Sequence, residues 1–272
     1  MRIKITFNKQ FKSPSNLPLH HQNTLYRCLS EFIETPQDPK TLFTFSPIKG
    51  TSTVFKGYVK FISNKVNLIV SSNDAEFLER MVDKMFQRRI IYIGKMNLLP
   101  KLKTVIEMPE FKTEMKYLCI SPIVLIDCEK GQEESERNID PTSQEFSDIL
   151  FNTTIERMHA AGFTEDELHE FDTFEVVADK SYIQKITENN KRFARFYKNL
   201  EGKTMVGYLL PFTLHAHPKV HEFIFNAGLG LYTSQGYGMI DVVQENTPQS
   251  SSNLTDESYT PGSDPNFDAI FN

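Results

Sequence analysis

Two groups of residues in this chain have the types and spacing that chemistry needs: seven histidines, and a glycine-rich run near the C-terminus. Imidazole titrates near neutrality, so a histidine can take up or return a proton at physiological pH. His20 and His21 stand together at the start of an expected helix, beside Tyr26 and Arg27. As a pair they suit proton transfer; as ordinary helix-start residues they suit capping or simple exposure. His215, His217 and His221 have a spacing compatible with zinc. No cysteine or carboxylate lies close enough in sequence to complete a closed tetrahedral set, so neither metal nor cofactor is expected. His159 and His169 flank a helix end and carry no motif.

The run from Gly228 to Gly238 holds four of the chain's 12 glycines, at 228, 230, 236 and 238. A dinucleotide loop needs glycines between a strand and a following helix, whereas here an expected helix, Pro218 to Asn226, comes first and a β-rich run, Met239 to Val243, comes after. A P-loop is excluded too, because no Gly-Lys-Ser/Thr is present. Two readings stand: a tight turn that packs helix against sheet, or a loop whose bare amides hold a phosphodiester chain.

Around these groups the hydrophobic pattern sets out the elements. Arg2 to Phe7 alternates polar and apolar, as a half-buried strand does. Leu25, Cys28, Leu29, Phe32 and Ile33 recur at helical spacing, which predicts a helix over His21 to Ile33, ended by Pro36 and Pro39. Leu42 to Ser46, Val54 to Ile62 and Lys65 to Ser71 read as strands. A second helix spans Asp74 to Phe86, capped by Asn73 or Asp74. Strands return at Arg88 to Leu98 and Thr104 to Ile106. This β-α-β-β-α-β order is the ferredoxin-like unit. A second copy is expected from Lys116 to Asp127 (strand), Ser143 to Met158 (helix), Phe174 to Ile186 and Phe193 to Leu214 (hairpin), the helix before the glycines, and the last strand. The fold class is therefore α+β, with tandem ferredoxin-like domains at 1–111 and 112–245 and a solvated tail at 246–272. Glu129 to Asp140 reads as an acidic, apolar-poor loop.

Composition bounds the function classes. With 39% hydrophobic residues, no apolar run near the roughly 18 residues that span a bilayer and no signal-peptide core, a cytoplasmic protein without membrane contact is expected. Cys28, Cys119 and Cys128 form no C-x-x-C pair and read as reduced thiols. The net charge of −5 hides an asymmetry: residues 1–126 hold 19 Lys and Arg against 10 Asp and Glu, while 127–148 hold 2 against 8. A local positive face, rather than whole-chain charge, attracts phosphates. The N-terminal half is accordingly the expected nucleic-acid face.

The segment His221 to Gly230, followed by Thr233 to Ile240, resembles the C-terminal glycine-rich signature of the CRISPR-associated Cas-six endoribonucleases of the RAMP superfamily. Met1 to Phe7, Leu42 to Pro47 and Ile120 to Val124 agree with that family in order. The resemblance implies tandem ferredoxin-like domains of RAMP type and CRISPR repeat RNA, precursor and mature, as partner. It also implies metal-independent cleavage within each repeat by 2′-hydroxyl attack, leaving a 2′,3′-cyclic phosphate and a 5′-hydroxyl. Other effector-complex proteins are possible partners, and the chain is expected as a monomer or homodimer. Family members often carry a catalytic histidine in the loop after the first helix, but Glu34 to Thr41 contains none, and Ser30 stands where some members have tyrosine. The expected base is then His21, with His20 as its substitute, Tyr26 to orient or protonate, and Lys40 to stabilise the phosphate. Lys49, Lys56, Lys60, Arg88 and Arg89 form the expected positive track, and Gly228, Gly230, Ser234, Gly236 and Gly238 the loop that holds RNA. A non-catalytic repeat-RNA-binding or scaffold subunit is the alternative.

Overall fold

The computed structural model describes residues 1–34, 38, 40–127, 139–189 and 191–243. Cys128, most of the acidic loop, part of the loop after the first helix, and the tail fall outside the described residues. In chain order the first half comprises β1 (Arg2–Lys9), β2 (Asn16–Pro18), α1 (Gln22–Ser30), β3 (Phe43–Phe45), β4 (Ser52–Phe55), β5 (Tyr58–Phe61), β6 (Lys65–Ser72), α2 (Ala75–Gln87), β7 (Ile91–Ile93) and β8 (Met96–Ile106). The second half comprises β9 (Glu114–Cys119), β10 (Ile123–Asp127), α3 (Gln144–Ala160), α4 (Glu165–His169), β11 (Phe174–Ala178), α5 (Lys180–Glu188), β12 (Ala194–Lys198), β13 (Thr204–Tyr208), β14 (Phe212–Ala216), α6 (Pro218–Ala227) and β15 (Ile240–Val242). Among the described residues no helix is long and apolar enough to cross a membrane.

Each half builds the same antiparallel sheet. The first runs β3-β6-β1-β8-β7 and the second β11-β14-β9-β15, so both place the first strand of the unit in the middle, between the third and the fourth. Alternation decides which face is covered: Ile3, Ile5 and Phe7 of β1 are buried with Leu25 and Leu29 of α1 and Leu78, Met81 and Val82 of α2 in one apolar core. Lys4 and Thr6 point to the opposite, open face. The second core gathers Tyr117, Phe146, Leu150, Leu214, Phe223 and Ile224 in the same manner. Asp74 starts α2 by accepting a hydrogen bond from the Phe77 N–H, and Ser143 starts α3 by accepting one from Phe146.

Three expectations are corrected. The apolar stretch Lys116 to Asp127 is two strands in two sheets: β9 is central in the second main sheet, while β10 joins β13 and β12 in a separate three-stranded sheet. The break falls at Ser121-Pro122, where the Ser121 hydroxyl accepts the Met239 N–H and the Pro122 carbonyl accepts the Gly238 N–H. Residues expected as strand up to Ile186 instead form α5, because the Asp179 side chain accepts the Tyr182 N–H as a helix cap. Val54 to Ile62 is not one strand but the hairpin β4–β5, turned at Gly57 and joined by β2.

The two sheets are fastened by side chains that cross the seam. The Arg2 guanidinium donates to the carbonyls of Phe225 and Ile240 and pairs with Asp241 at 3.4 Å. The Thr44 hydroxyl donates to the Tyr237 carbonyl at 2.9 Å, and Asn23 of α1 donates to the Lys198 carbonyl at 3.0 Å.

Candidate functional site

The glycine run is the most constrained part of the seam. A Cβ built on Gly236 would lie 2.3 Å from Cε2 of Phe45, one on Gly230 2.4 Å from the Val124 carbonyl oxygen, and one on Gly238 2.0 Å from that of Leu229. Gly228 leaves the same kind of room for Thr233, 2.9 Å away. Three of the four amides are not bare: the N–H groups of Gly228, Gly236 and Gly238 donate to the carbonyls of Ile224, Thr233 and Pro122. Arg157 holds the run from below. It donates to the carbonyls of Ala227 (2.6 Å), Gly228 (2.7 Å) and Gly230 (3.3 Å) and to the Thr233 hydroxyl (3.1 Å), satisfying carbonyls left open at the end of α6. Burial lowers the Arg157 pKa to about 10, so it stays charged at neutral pH. The four glycines therefore serve packing, and three of them lack the bare amides that the sequence suggested; Ser234 alone of the expected loop set is exposed.

His21 is also a structural residue. It is 4% exposed, its Nδ1 lies 3.0 Å from the Pro18 carbonyl, and its Nε2 accepts the Ile48 N–H at 3.0 Å. Both ring nitrogens are committed to backbone, and burial pushes its pKa down to about 4. No nitrogen is left to take a substrate proton, which corrects the expectation that His21 supplies the base.

His20, its neighbour, faces the other way. It is exposed in a cleft of about 460 Å³ between α1 and the β12–β13 hairpin, lined also by Asn23, Tyr197, Lys198, Thr204 and Tyr237. The imidazole meets the Tyr197 ring edge-on at 4.7 Å between centroids. Its pKa lies below the usual imidazole value, first because protein atoms surround the ring and then because the Arg195 guanidinium repels a proton. Arg195 and Tyr197 are two apart on β12 and so share a face. Opposite Arg195 on β13 stands Gly207, whose missing side chain leaves room for the Tyr197 ring, 2.8 Å from where a Cβ would be. Burial raises the phenols of both Tyr197 and Tyr237, whose rings meet at 5.8 Å, so both hydroxyls stay protonated donors. The cleft thus offers an imidazole with a lowered pKa and an exposed Lys198, with two buried tyrosines in its wall and the Arg195 guanidinium near enough to repel a proton on His20.

The other expected residues lie elsewhere. Tyr26 is half-buried on α1 against the first core. Lys40 rests its side chain beside Gly162, after α3, and its carbonyl accepts from Asn73. The expected positive track divides into three. Lys49 lines a cleft of about 470 Å³ on the open face of the first sheet, with Lys4, Asn67, Phe225 and Asp241. Lys56 and Lys60 are exposed on the β4–β5 hairpin. Arg88 and Arg89 end α2 on the helix-covered side, Arg88 lying 5.7 Å from the Phe32 ring centre. His215 lies 3.7 Å from Glu114, His217 caps α6, and His221 Nδ1 lies 2.9 Å from the Tyr117 hydroxyl. Among the described residues no cluster suited to a metal ion is found. Sequence reasoning missed Arg195 and Tyr197; the available signal was Ala194 to Lys198, where strand alternation puts an arginine and a tyrosine on one face.

Residues 106–242, half of the chain, match the family model described as CRISPR associated protein Cas6, C-terminal. A Pyrococcus furiosus protein bearing the name CRISPR-associated endoribonuclease-like protein Cas6 is 21% identical over 263 residues, covering 90% of this chain and 100% of that one. Among solved structures, that of a Cas6-related gene product from Pyrococcus furiosus superposes with a TM-score of 0.73 at 19% identity, over 90% of this chain and 99% of that one. A RAMP protein described as binding different RNA substrates does so with a TM-score of 0.72, again at 19% identity, over 90% and 100% of the two chains. At such identities the structural likeness speaks for the fold, tandem ferredoxin-like domains, and the matched model speaks for descent. The chain belongs to the Cas6 family of CRISPR-associated proteins.

Proposed function

We propose that this protein binds CRISPR repeat RNA and cuts it in the interdomain cleft without a metal ion, by attack of a ribose 2′-hydroxyl on the adjacent phosphate. The observation that carries the reading is His20, an open imidazole kept neutral beside Arg195 at the junction of the two domains. A neutral imidazole is the form that a general base needs. His20 removes the 2′-hydroxyl proton, the 2′-oxygen bonds to phosphorus, and the bond from phosphorus to the 5′-oxygen breaks. Arg195 and Lys198 offset the charge gathering on the phosphate oxygens, and the leaving 5′-oxygen takes its proton from water in the open cleft. The products are a 2′,3′-cyclic phosphate and a 5′-hydroxyl. Asn23, whose Oδ1 has no partner among the described residues, lines the same cleft and offers the nucleotide an acceptor, while the buried Tyr197 and Tyr237 rings back the wall behind His20.

One observation favours a second reading, a non-cleaving repeat-RNA-binding subunit: the cleft has a single imidazole, and Lys40 is seated away from it. Labelled repeat RNA incubated with the protein in EDTA separates the two. A product ending in a 2′,3′-cyclic phosphate supports cutting, whereas intact RNA held in a stable complex supports binding alone.

A further inference from the structure

We propose that the outer face of the β4–β5 hairpin is a stacking platform for single-stranded RNA running to or from the His20 cleft. The proposal rests on the RNA reading above and adds a second contact to it. The hairpin's inner residues, Val59 and Phe61, are buried in the first core, so the fold is served by that face. The outer face carries Phe55 and Tyr58, paired directly across the strands, with ring centroids 4.8 Å apart and planes 11° from parallel. They are 42% and 37% exposed. The next outward pair is Thr53 with Lys60, and Lys56 stands in the turn, which closes in two residues because Gly57 takes φ +85°.

Charge identifies the occupant. Residues 40–73 contain five lysines and no carboxylate, and residues 1–30 contain five Lys and Arg and no carboxylate. A parallel pair of exposed rings on a stretch whose charged residues are all cations matches a polyanion with flat bases: stacking accepts any base, and lysines draw the phosphates. Position supplies the link to the cleft. The Leu19 N–H donates to the Gly57 carbonyl at 3.0 Å, so the hairpin tip is bonded to the residue just before His20. A groove of about 700 Å³, lined by Leu19, Thr53, Phe55 and Lys56, opens along the edge strand β4 beside it.

The chain contains no tryptophan, so Tyr58→Trp makes position 58 its sole indole. Its emission is expected to be quenched saturably by polyuridylate, with a midpoint that moves to higher RNA concentration as salt rises. Replacing Phe55 and Tyr58 together by Leu keeps an apolar hairpin but removes the ring faces; polyuridylate affinity should fall about 5- to 150-fold, with Tyr58→Phe retaining it and unfolding midpoints matching wild type. Emission unmoved by polyuridylate, quenching reproduced by inorganic polyphosphate, or wild-type affinity in the double Leu variant each overturns the platform. Cleavage of labelled repeat RNA in EDTA by the Tyr58→Trp protein, with His20 intact, distinguishes the two proposals: saturable quenching in a protein that cuts no RNA keeps the platform and removes the nuclease reading, and cutting without quenching does the reverse.

Discussion

Gly236→Ala tests whether the glycine run is packing or an RNA cradle. Gly236 has φ +87°, and placing a side chain in that left-handed region costs about 1–2 kcal/mol. The new methyl group would also lie 2.3 Å from Cε2 and 2.7 Å from Cζ of Phe45, a ring with no exposure that cannot swing aside. Overpacking of that sort costs about 1–3 kcal/mol, which brings the expected loss to about 2–5 kcal/mol. Gly202→Ala isolates the backbone part, since Gly202 has φ +79° with nothing within 4 Å of its would-be Cβ, and should lose only about 1–2 kcal/mol. The assay is urea unfolding of wild type and both variants followed by circular dichroism, with repeat-RNA affinity measured on the folded protein. The difference between the variants reads the collision with Phe45. A Gly236→Ala protein as stable as Gly202→Ala would refute the packing argument, and one with wild-type stability but no RNA affinity would show that the loop itself carries the RNA.

Arg157→Met leaves the buried carbonyls of Ala227 and Gly228 without a donor and should cost about 3 kcal/mol; Arg157→Lys should recover only part, because an ammonium cannot fork between them, and chemical denaturation of the pair checks this. His21 and His221, each held near a pKa of about 4, bind a proton in the unfolded chain near 6.5 but not in the folded one. Stability is therefore full above about pH 6.5 and is lost as pH falls towards 4, by about 3 kcal/mol for each site; unfolding midpoints measured across that window that stay flat would contradict the assignment. Because the His20 pKa is lowered, the base form persists below the usual imidazole range, and single-turnover cleavage should fall on acidification with an apparent midpoint under 6.5. A midpoint above that value would mean that another group titrates.

Much of the fold is legible in the sequence because amphipathic period is a local signal. Leu25, Cys28 and Leu29 mark the buried stripe of α1, and Ile3, Ile5 and Phe7 the buried face of β1, and both follow from spacing alone. The break at Ser121-Pro122 is not legible, because the residues on either side are equally apolar and the change of sheet is set by distant partners, Met239 and Gly238. α5 was open to reading from Asp179 as a cap and Ile183 and Ile186 at helical spacing, but Tyr182 and the β-branched residues pull the reading towards strand. The site is less legible than the fold. His20 and His21 are adjacent and chemically identical; what separates them is the Ile48 N–H, 27 residues further along the chain. Arg195 and Tyr197 reach His20 only through the packing of one domain on the other.

Whether His20 moves the proton is decided by single-turnover cleavage of end-labelled repeat RNA in EDTA by wild type and His20→Ala. Loss of a general base typically costs about 100- to 10,000-fold, so His20→Ala should cut that much more slowly with nearly unchanged RNA affinity. Cleavage by His20→Ala at the wild-type rate would mean that another group moves the proton.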